Sequence, residues 1–110
     1  MALTVVAVSR QGDISSTHLL VVDVVLENVS LEEATYDYFY FSILDPIGVD
    51  YAVTIEAPEP GLQWGDLVPG SEVRGNIAFE VEPDTHGLTL VYDPGILSGA
   101  QEPLRVNLGQ

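Results

Sequence analysis

Cysteine and lysine are absent from this chain of 110 residues, and basic residues are scarce. The lack of cysteine excludes disulfide bonds, thiol catalysis and cysteine-ligated zinc. Three arginines stand against 17 acidic residues, so the formal net charge is -14. Because such a charge repels phosphate backbones and anionic lipids, the composition excludes nucleic acid and acidic membrane surfaces as partners. Solubility, or adaptation to a salty medium, is the simplest explanation of the acidity, although calcium or a basic partner also fits it.

Long hydrophobic runs are absent as well. A membrane-spanning helix needs about 20 apolar residues, and no stretch approaches that length. After Met1 and Ala2 the chain continues directly into LTVVAVS, without the basic start or the cleavage site of a signal peptide. We therefore expect either a cytoplasmic protein or one whose leader has been removed.

The pattern that is present has a period of two, which is typical of half-buried strands. With 46% hydrophobic residues, the chain is apolar enough to form a packed core. Turns rich in proline and glycine separate the alternating stretches, and no strong helix pattern occurs. The sequence predicts a single domain over residues 1–110, an all-β antiparallel β-sandwich of about seven strands. The predicted strands cover residues 3–9, 18–28, 36–44, 49–55, 73–81, 87–93 and 104–108.

Three stretches of the sequence carry a family resemblance: VVDVVLENVS, FSILDPIGVDY and LVPGSEVRGNIAFEVEPDTHGLTLVYDP. In order and spacing they resemble an uncharacterised prokaryotic domain family with an immunoglobulin-like fold, related to the mycobacterial secreted immunoprotective antigen. One departure is Glu82, which separates Val81 from Pro83. The matching positions are turn and core residues, including Pro69, Gly70, Gly75, Phe79, Gly87 and Tyr92.

The resemblance implies a fold more clearly than a function, because its motif residues shape turns and fill a core. Members of the family usually carry a lipoprotein or secretion signal. The resemblance therefore implies an extracytoplasmic, non-enzymatic β-sandwich, although this chain begins almost at its first strand.

Catalytic chemistry has little support in the sequence. The two histidines, His18 and His86, fall at a strand start and in a turn, and no nucleophile, base and orienting group share a recognisable pattern. We therefore expect no enzymatic activity and no cofactor other than calcium.

Calcium is considered because acidic residues crowd the loops. Asp45 and Asp50 flank a predicted hairpin, and Asp66 lies in a long loop. Calcium needs six to eight oxygen ligands, which loops at one end of a sandwich can supply. The alternative is that Asp45 only forms the turn before Pro46, with its side chain bonded to local amides.

A tyrosine stripe suggests a contact surface. The alternation places three tyrosines on one face of the third strand and predicts that Phe39, Phe41 and Ile43 face the core. The tyrosines could bind a glycan, a peptide, a protein or another copy of the chain. Alternatively they only pair across strands and steady an exposed sheet. The predicted surface consists of Tyr36, Tyr38, Tyr40 and Trp64.

The sequence thus favours a non-catalytic extracytoplasmic module, acting as a binding or spacer domain of a secreted or surface protein. Two alternatives stay open: a calcium-stabilised adhesion module that uses the acidic loops, and a cytoplasmic protein-interaction domain. The sequon Asn28-Val29-Ser30 fits glycosylation, but a strand end followed by a turn is its simpler interpretation.

Overall fold

The computed structural model describes residues 1–11, 18–54, 57–82, 85–94 and 103–109. These residues form nine strands and a single-turn 3₁₀ helix, η1. The elements are β1 (Ala2–Gln11), β2 (His18–Glu27), β3 (Ala34–Asp37), η1 (Tyr38–Tyr40), β4 (Phe41–Leu44), β5 (Asp50–Thr54), β6 (Trp64–Leu67), β7 (Glu72–Val81), β8 (Thr89–Tyr92) and β9 (Leu104–Asn107).

Seven strands pair in the order β1-β2-β7-β5-β4-β8-β9, and every pairing is antiparallel. Strands β3 and β6 form a separate two-stranded ribbon. β5 changes partner along its length, because residues 50–52 pair with β4 whereas Val53 and Thr54 pair with β7. A strand that changes partner in this way lets a sheet fold over into two packed layers. The prediction of an all-β antiparallel sandwich is confirmed.

Alternating residues of the two layers meet in one core. In β2 and β7, paired positions such as Val22 and Ile77, or Leu20 and Phe79, point inward and are at most 1% exposed. Strands β4 and β8 supply the opposing side, where the rings of Phe41 and Tyr92 lie 4.7 Å apart. Side chains at alternate positions of both layers therefore exclude water without a disulfide, because together they present two continuous apolar faces.

The predicted strand over residues 36–44 is wrong in its middle. Strand β3 ends at Asp37, whose carboxylate accepts a hydrogen bond from the amide of Phe39 at 2.9 Å and caps the η1 turn. The turn shifts the alternation, so that Phe39 is 58% exposed rather than in the core. Phe41 and Ile43 are buried, as the sequence predicts.

The loop residues 60–62 pack tightly beside Gly75 in β7. Both backbone groups of Asn76 are bonded to this segment: its amide donates to the Pro60 carbonyl and its carbonyl accepts from the Leu62 amide, each at 2.9 Å. Leu62 is 5% exposed and belongs to the core. A Cβ on Gly75 would lie 2.6 Å from the Leu62 nitrogen, so this close approach requires glycine.

Asn28 ties together the loops at one end of the sandwich. Its side-chain amide donates to the carbonyls of Leu67 and Glu32 at 2.7 and 2.8 Å, and its oxygen accepts from the amide and the hydroxyl of Ser30. The residue is 0% exposed. Asn28 is therefore a buried structural residue, and a glycosylated Asn28 does not fit this fold.

Candidate binding surface

Two neighbouring elements bring three aromatic side chains together near the β3–β6 ribbon. The ribbon pairs Asp37 with Trp64, and the amide of Tyr38 donates to the Gln63 carbonyl at 3.2 Å. Tyr38 and Phe39 follow Asp37 directly in the η1 turn. We call Tyr38, Phe39 and Trp64 the aromatic ridge.

The ridge combines one anchored ring with two exposed rings. Tyr38 is half-buried against the core and stacks on Phe39, with their ring centroids 4.3 Å apart. Phe39 and Trp64 are 58% and 65% exposed. Exposed aromatic side chains on a fixed backbone are suited to binding, because they offer large contact area and lose little conformational freedom.

A recess adjoins the ridge on each side. The first recess has a volume of about 190 Å³ and is lined by Tyr38 and Trp64 together with polar groups of Gln63 and Glu59. The second recess has a volume of about 490 Å³. It is lined by Phe39, Tyr40 and the outer faces of β4, β5 and β8, with Arg105 of β9 at its side. The two recesses give the ridge both polar and apolar surroundings.

The other predicted surface tyrosines lie differently from the expectation. Tyr36 and Tyr40 are half-buried and pack against the core, and Tyr40 meets Tyr92 edge-on at 5.9 Å. The structure therefore replaces the predicted tyrosine face with a ridge whose most exposed members are Phe39 and Trp64. The alternation of the sequence missed Phe39; the signal that could have found it is Asp37, a residue suited to capping a turn.

Tyr92 lies beneath this region with its hydroxyl buried. The side chain is 0% exposed, and its oxygen has no partner in hydrogen-bond geometry among the described residues. Burial raises the pKa of Tyr92 well above its ordinary value, and electrostatic repulsion by the ionised forms of Tyr40 and Asp37 acts in the same direction. The backbone of Asp37 acts in the opposite direction and favours a lower pKa for Tyr92. Tyr92 is held in its neutral form and fills the core.

The three acidic residues considered for calcium have separate local roles. Asp45 accepts hydrogen bonds from the amides of Ile47 and Val49 at 3.1 and 2.8 Å, which is the turn role. Asp50 begins β5 and is exposed, whereas Asp66 lies in the ribbon and accepts from the Thr35 hydroxyl at 2.8 Å. Among the described residues, no three acidic or histidine side chains come close enough to hold a metal ion. Calcium binding itself is untested and stays a prediction.

The remaining motif residues lie in turns and in the core. Gly70 and Gly87 have φ of 84° and 68°, the left-handed region that glycine occupies without strain. Pro69 precedes Gly70 in the exposed turn between β6 and β7. Phe79 and Tyr92 are 0% exposed.

These observations define an antiparallel β-sandwich domain that displays an aromatic ridge. In the described part of the chain, no helix has the length and apolar character needed to cross a membrane. The sequence matches the model of DUF4352, a domain of unknown function, over residues 2–103. The chain belongs to this family.

Three solved structures of similar fold are proteins of Bacillus subtilis and Listeria monocytogenes. The yjhA protein of Bacillus subtilis is 24% identical, with a TM-score of 0.71 over 96% of this chain and 89% of that chain. The candidate lipoprotein ycdA of Bacillus subtilis is 18% identical, with a TM-score of 0.71 over 98% of this chain and 36% of that one. A functionally unknown protein of Listeria monocytogenes is 13% identical, with a TM-score of 0.59 over 83% of this chain and 58% of that chain. No curated protein matches the sequence. At these identities the likeness shows the fold alone.

Proposed function

We propose that this domain is a non-catalytic binding module of an extracytoplasmic protein and that it holds its protein or glycan partner at the aromatic ridge. The observation that carries the proposal is the exposure of Trp64 beside a recess of about 190 Å³ and of Phe39 beside a recess of about 490 Å³. Soluble proteins ordinarily bury aromatic rings of this size, so two exposed rings on one fixed ridge favour recognition.

An extracytoplasmic location is supported by one structural neighbour, the candidate lipoprotein ycdA, which contains a domain of this fold. The composition agrees with it in one respect, since the chain has no thiol that an oxidising compartment would modify. The immunoglobulin-like classification and the relationship to the mycobacterial antigen belong to the same proposal.

The side chains at the ridge support a non-catalytic role. Its members are aromatic rings. The polar side chains that line the first recess are those of Thr54, Glu59, Gln63 and Asn76, of which Glu59 and Gln63 are exposed. These side chains can donate and accept hydrogen bonds, while the rings stack on a sugar face or a peptide side chain. Among the described residues no histidine lines this recess, and the groups present are suited to holding a ligand.

The chain provides its own reporter for the test, because Trp64 is the single tryptophan. The domain is titrated with each compound of a panel of soluble oligosaccharides and extended peptides. We expect at least one compound to shift the Trp64 emission in a saturable way. Phe39→Ser should weaken that binding at least about tenfold, since it removes a principal contact ring. Leu31→Ser is the matched control, because Leu31 is 96% exposed on another loop. Equal affinities for the two variants would contradict a binding role for the ridge.

A further inference from the structure

Strand β1 forms one edge of the seven-stranded sheet, and among the described strands only β2 pairs with it. Its ten residues, ALTVVAVSRQ, include no acidic residue, no lysine and no proline. Natural edge strands ordinarily use such residues to prevent pairing with another chain. Of the usual protective features, β1 has only a bulge between Val5 and Ala7 and the single charge of Arg10.

The charge pattern also favours β1, which is the longer of the two edge strands; β9, LRVN, likewise has no acidic residue but has only four residues. All 17 acidic residues follow Gln11 in the sequence. Two copies of a chain with a net charge of -14 repel each other over most of their surface. A contact edge to edge through β1 joins two strands that carry no acidic side chain. The nearest acidic side chains in the pairing lie one strand away in β2, where Asp23 is paired with Arg74 and Glu27 lies opposite Ala2.

Within the described residues, the apolar side chains of this strand are only partly covered. Leu3, Val5 and Val8 pack against the core but are only half-buried, because the sheet ends at β1. A further strand beside β1 would cover this apolar row and would also pair the backbone groups along the edge. Burial of the row is thus a second source of stabilisation for a contact at β1.

One irregularity limits which register is available. The pairing with β2 shifts between Val5 and Ala7, which leaves Val6 as the extra residue of a bulge. Before the bulge the core-facing residues are odd-numbered, and after it they are even-numbered. When two copies of β1 pair antiparallel about a two-fold axis, the register must bring the apolar row of one copy beside the apolar row of the other.

We propose that the domain self-associates through β1, as two copies paired antiparallel about a two-fold axis at Val5. This register places Val5 opposite Val5, Leu3 opposite Val8 and Thr4 opposite Ala7 of the second copy. An axis at Ala7 also matches faces, but it sets Leu3 against Arg10, whose side chain donates to the Thr85 carbonyl. The register at Val5 joins two apolar rows and sets small neutral residues against each other on the opposite face.

The first test is sedimentation of the unmodified domain over a range of concentrations. We expect the mass to rise from 11.9 kDa toward twice that value. The association should strengthen with salt, because raising NaCl from about 0.1 M to about 1 M shortens the screening length from about 10 Å to about 3 Å. A monomer at every concentration up to millimolar, at both salt levels, would overturn the proposal.

Disulfide trapping tests the register, and a chain without cysteine makes single-cysteine variants clean. Val5→Cys should form a covalent dimer on mild oxidation, because residues opposite each other lie within the Cα separation of about 4.4–6.8 Å that a disulfide spans. Val106→Cys is the matched control, since Val106 is also half-buried and lies in β9, the other edge strand. Equal trapping of both variants, or faster trapping through Val106→Cys, would overturn the assignment to β1.

Charge provides a test that leaves the core untouched. Thr4→Glu places an acidic group on the exposed face of β1 and should weaken self-association about tenfold or more, because like charges then face the contact. Asn107→Glu adds the same charge to β9 and should have a much smaller effect. Thermal unfolding of both variants verifies that each is folded. Equal weakening by the two changes would show that net charge, not the β1 edge, governs the association.

Discussion

At the scale of single residues, Gly75 shows how a neighbouring loop restricts which residue type fits at one position of a strand. It lies on the core side of β7, opposite Val24, where an apolar side chain would ordinarily be favoured. The backbone of Leu62 occupies the space that a side chain would need. The sequence placed Gly75 correctly on the inward face, but the reason for glycine lies in a segment 13 residues earlier in the chain.

We expect Gly75→Ala to destabilise the domain by about 1–3 kcal/mol, the range for overpacking a core. The added Cβ would lie 2.6 and 2.7 Å from the nitrogen and Cα of Leu62, so backbone must move. Thermal unfolding should show Tm falling by several degrees. Gly61→Ala is the matched control, because its Cβ would meet no atom closer than 4.0 Å. Equal losses in the two variants would contradict the close-approach explanation.

Tyr92 supports a prediction about alkaline pH. Its pKa in the folded state is raised above the ordinary value of 10.0, because ionisation would place a charge in the core. The stabilisation by the neutral hydroxyl is therefore complete below pH 10.0 and is lost as the pH rises toward the folded-state pKa.

Tyr92→Phe removes the ionisable group and a buried hydroxyl that has no hydrogen-bond partner in the described structure. The variant should be at least as stable as the wild type at neutral pH. Above about pH 10, its advantage should grow by up to about 1.4 kcal/mol per pH unit. Denaturant unfolding of both proteins at several pH values measures this difference. A difference that stays constant to about pH 11 would contradict the raised pKa.

At the scale of elements, the segment from β3 to β4 is where the local alternation and the folded structure disagree. Its aromatic residues alternate in sequence as one strand would, yet the η1 turn divides the segment into two strands with different partners. β3 pairs with β6 in the ribbon, whereas β4 enters the main sheet. The division aims Phe39 outward and leaves Phe41 inward.

Two alanine variants test this division. Phe41→Ala should cost about 3–5 kcal/mol, as expected for a buried phenylalanine. Phe39→Ala should cost about 1 kcal/mol or less, because it loses only its stacking on Tyr38 and a small buried area. Chemical denaturation measures both values. Similar large losses for the two variants would support the uninterrupted strand predicted from the alternation.

At the scale of the whole molecule, the net charge of -14 acts on every part of the fold. The folded chain gathers these charges into a smaller volume than the unfolded chain does, so repulsion opposes folding. Salt screens the repulsion and should raise Tm. This general effect must be separated from a specific effect of calcium.

We expect calcium to raise Tm no more than NaCl of the same ionic strength does. A specific site at about 100 times its Kd would add about 2.7 kcal/mol of stability, which is several degrees for a domain of this size. The described residues gather no group of three metal-binding side chains, whereas calcium needs six to eight oxygens. A calcium-specific rise that a chelator reverses would contradict this expectation and revive the adhesion-module hypothesis.

Much of the fold could be predicted from the sequence because its determinants are local. The alternation in β2 and β7 specified which side chains face inward, and those residues are the centre of the core. Glycine and proline turns marked most strand ends. The main sheet has the expected number of strands, seven, and the ribbon adds two short ones. The proline and glycine residues of the segment 57–70 predict a loop or a pair of broken edge strands, and the structure forms β6 there as one strand of the ribbon.

The candidate surface could be predicted only in part. Trp64 was identified as exposed because it stands in a loop-like stretch, and Tyr38 was identified as a member of the surface. Phe39 was missed, because a single carboxylate cap at Asp37 outweighs the alternation around it.

The sequence by itself determined the all-β class, the inward-facing rows and the repulsive charge, because each follows from the order and chemistry of neighbouring residues. Only the tertiary structure decided which faces of the aromatic segment reach solvent, why Gly75 carries no side chain, and which two strands lie at the edges of the main sheet in the described part of the chain. Those features depend on residues that are distant in the chain, and their distances are set by the folded backbone.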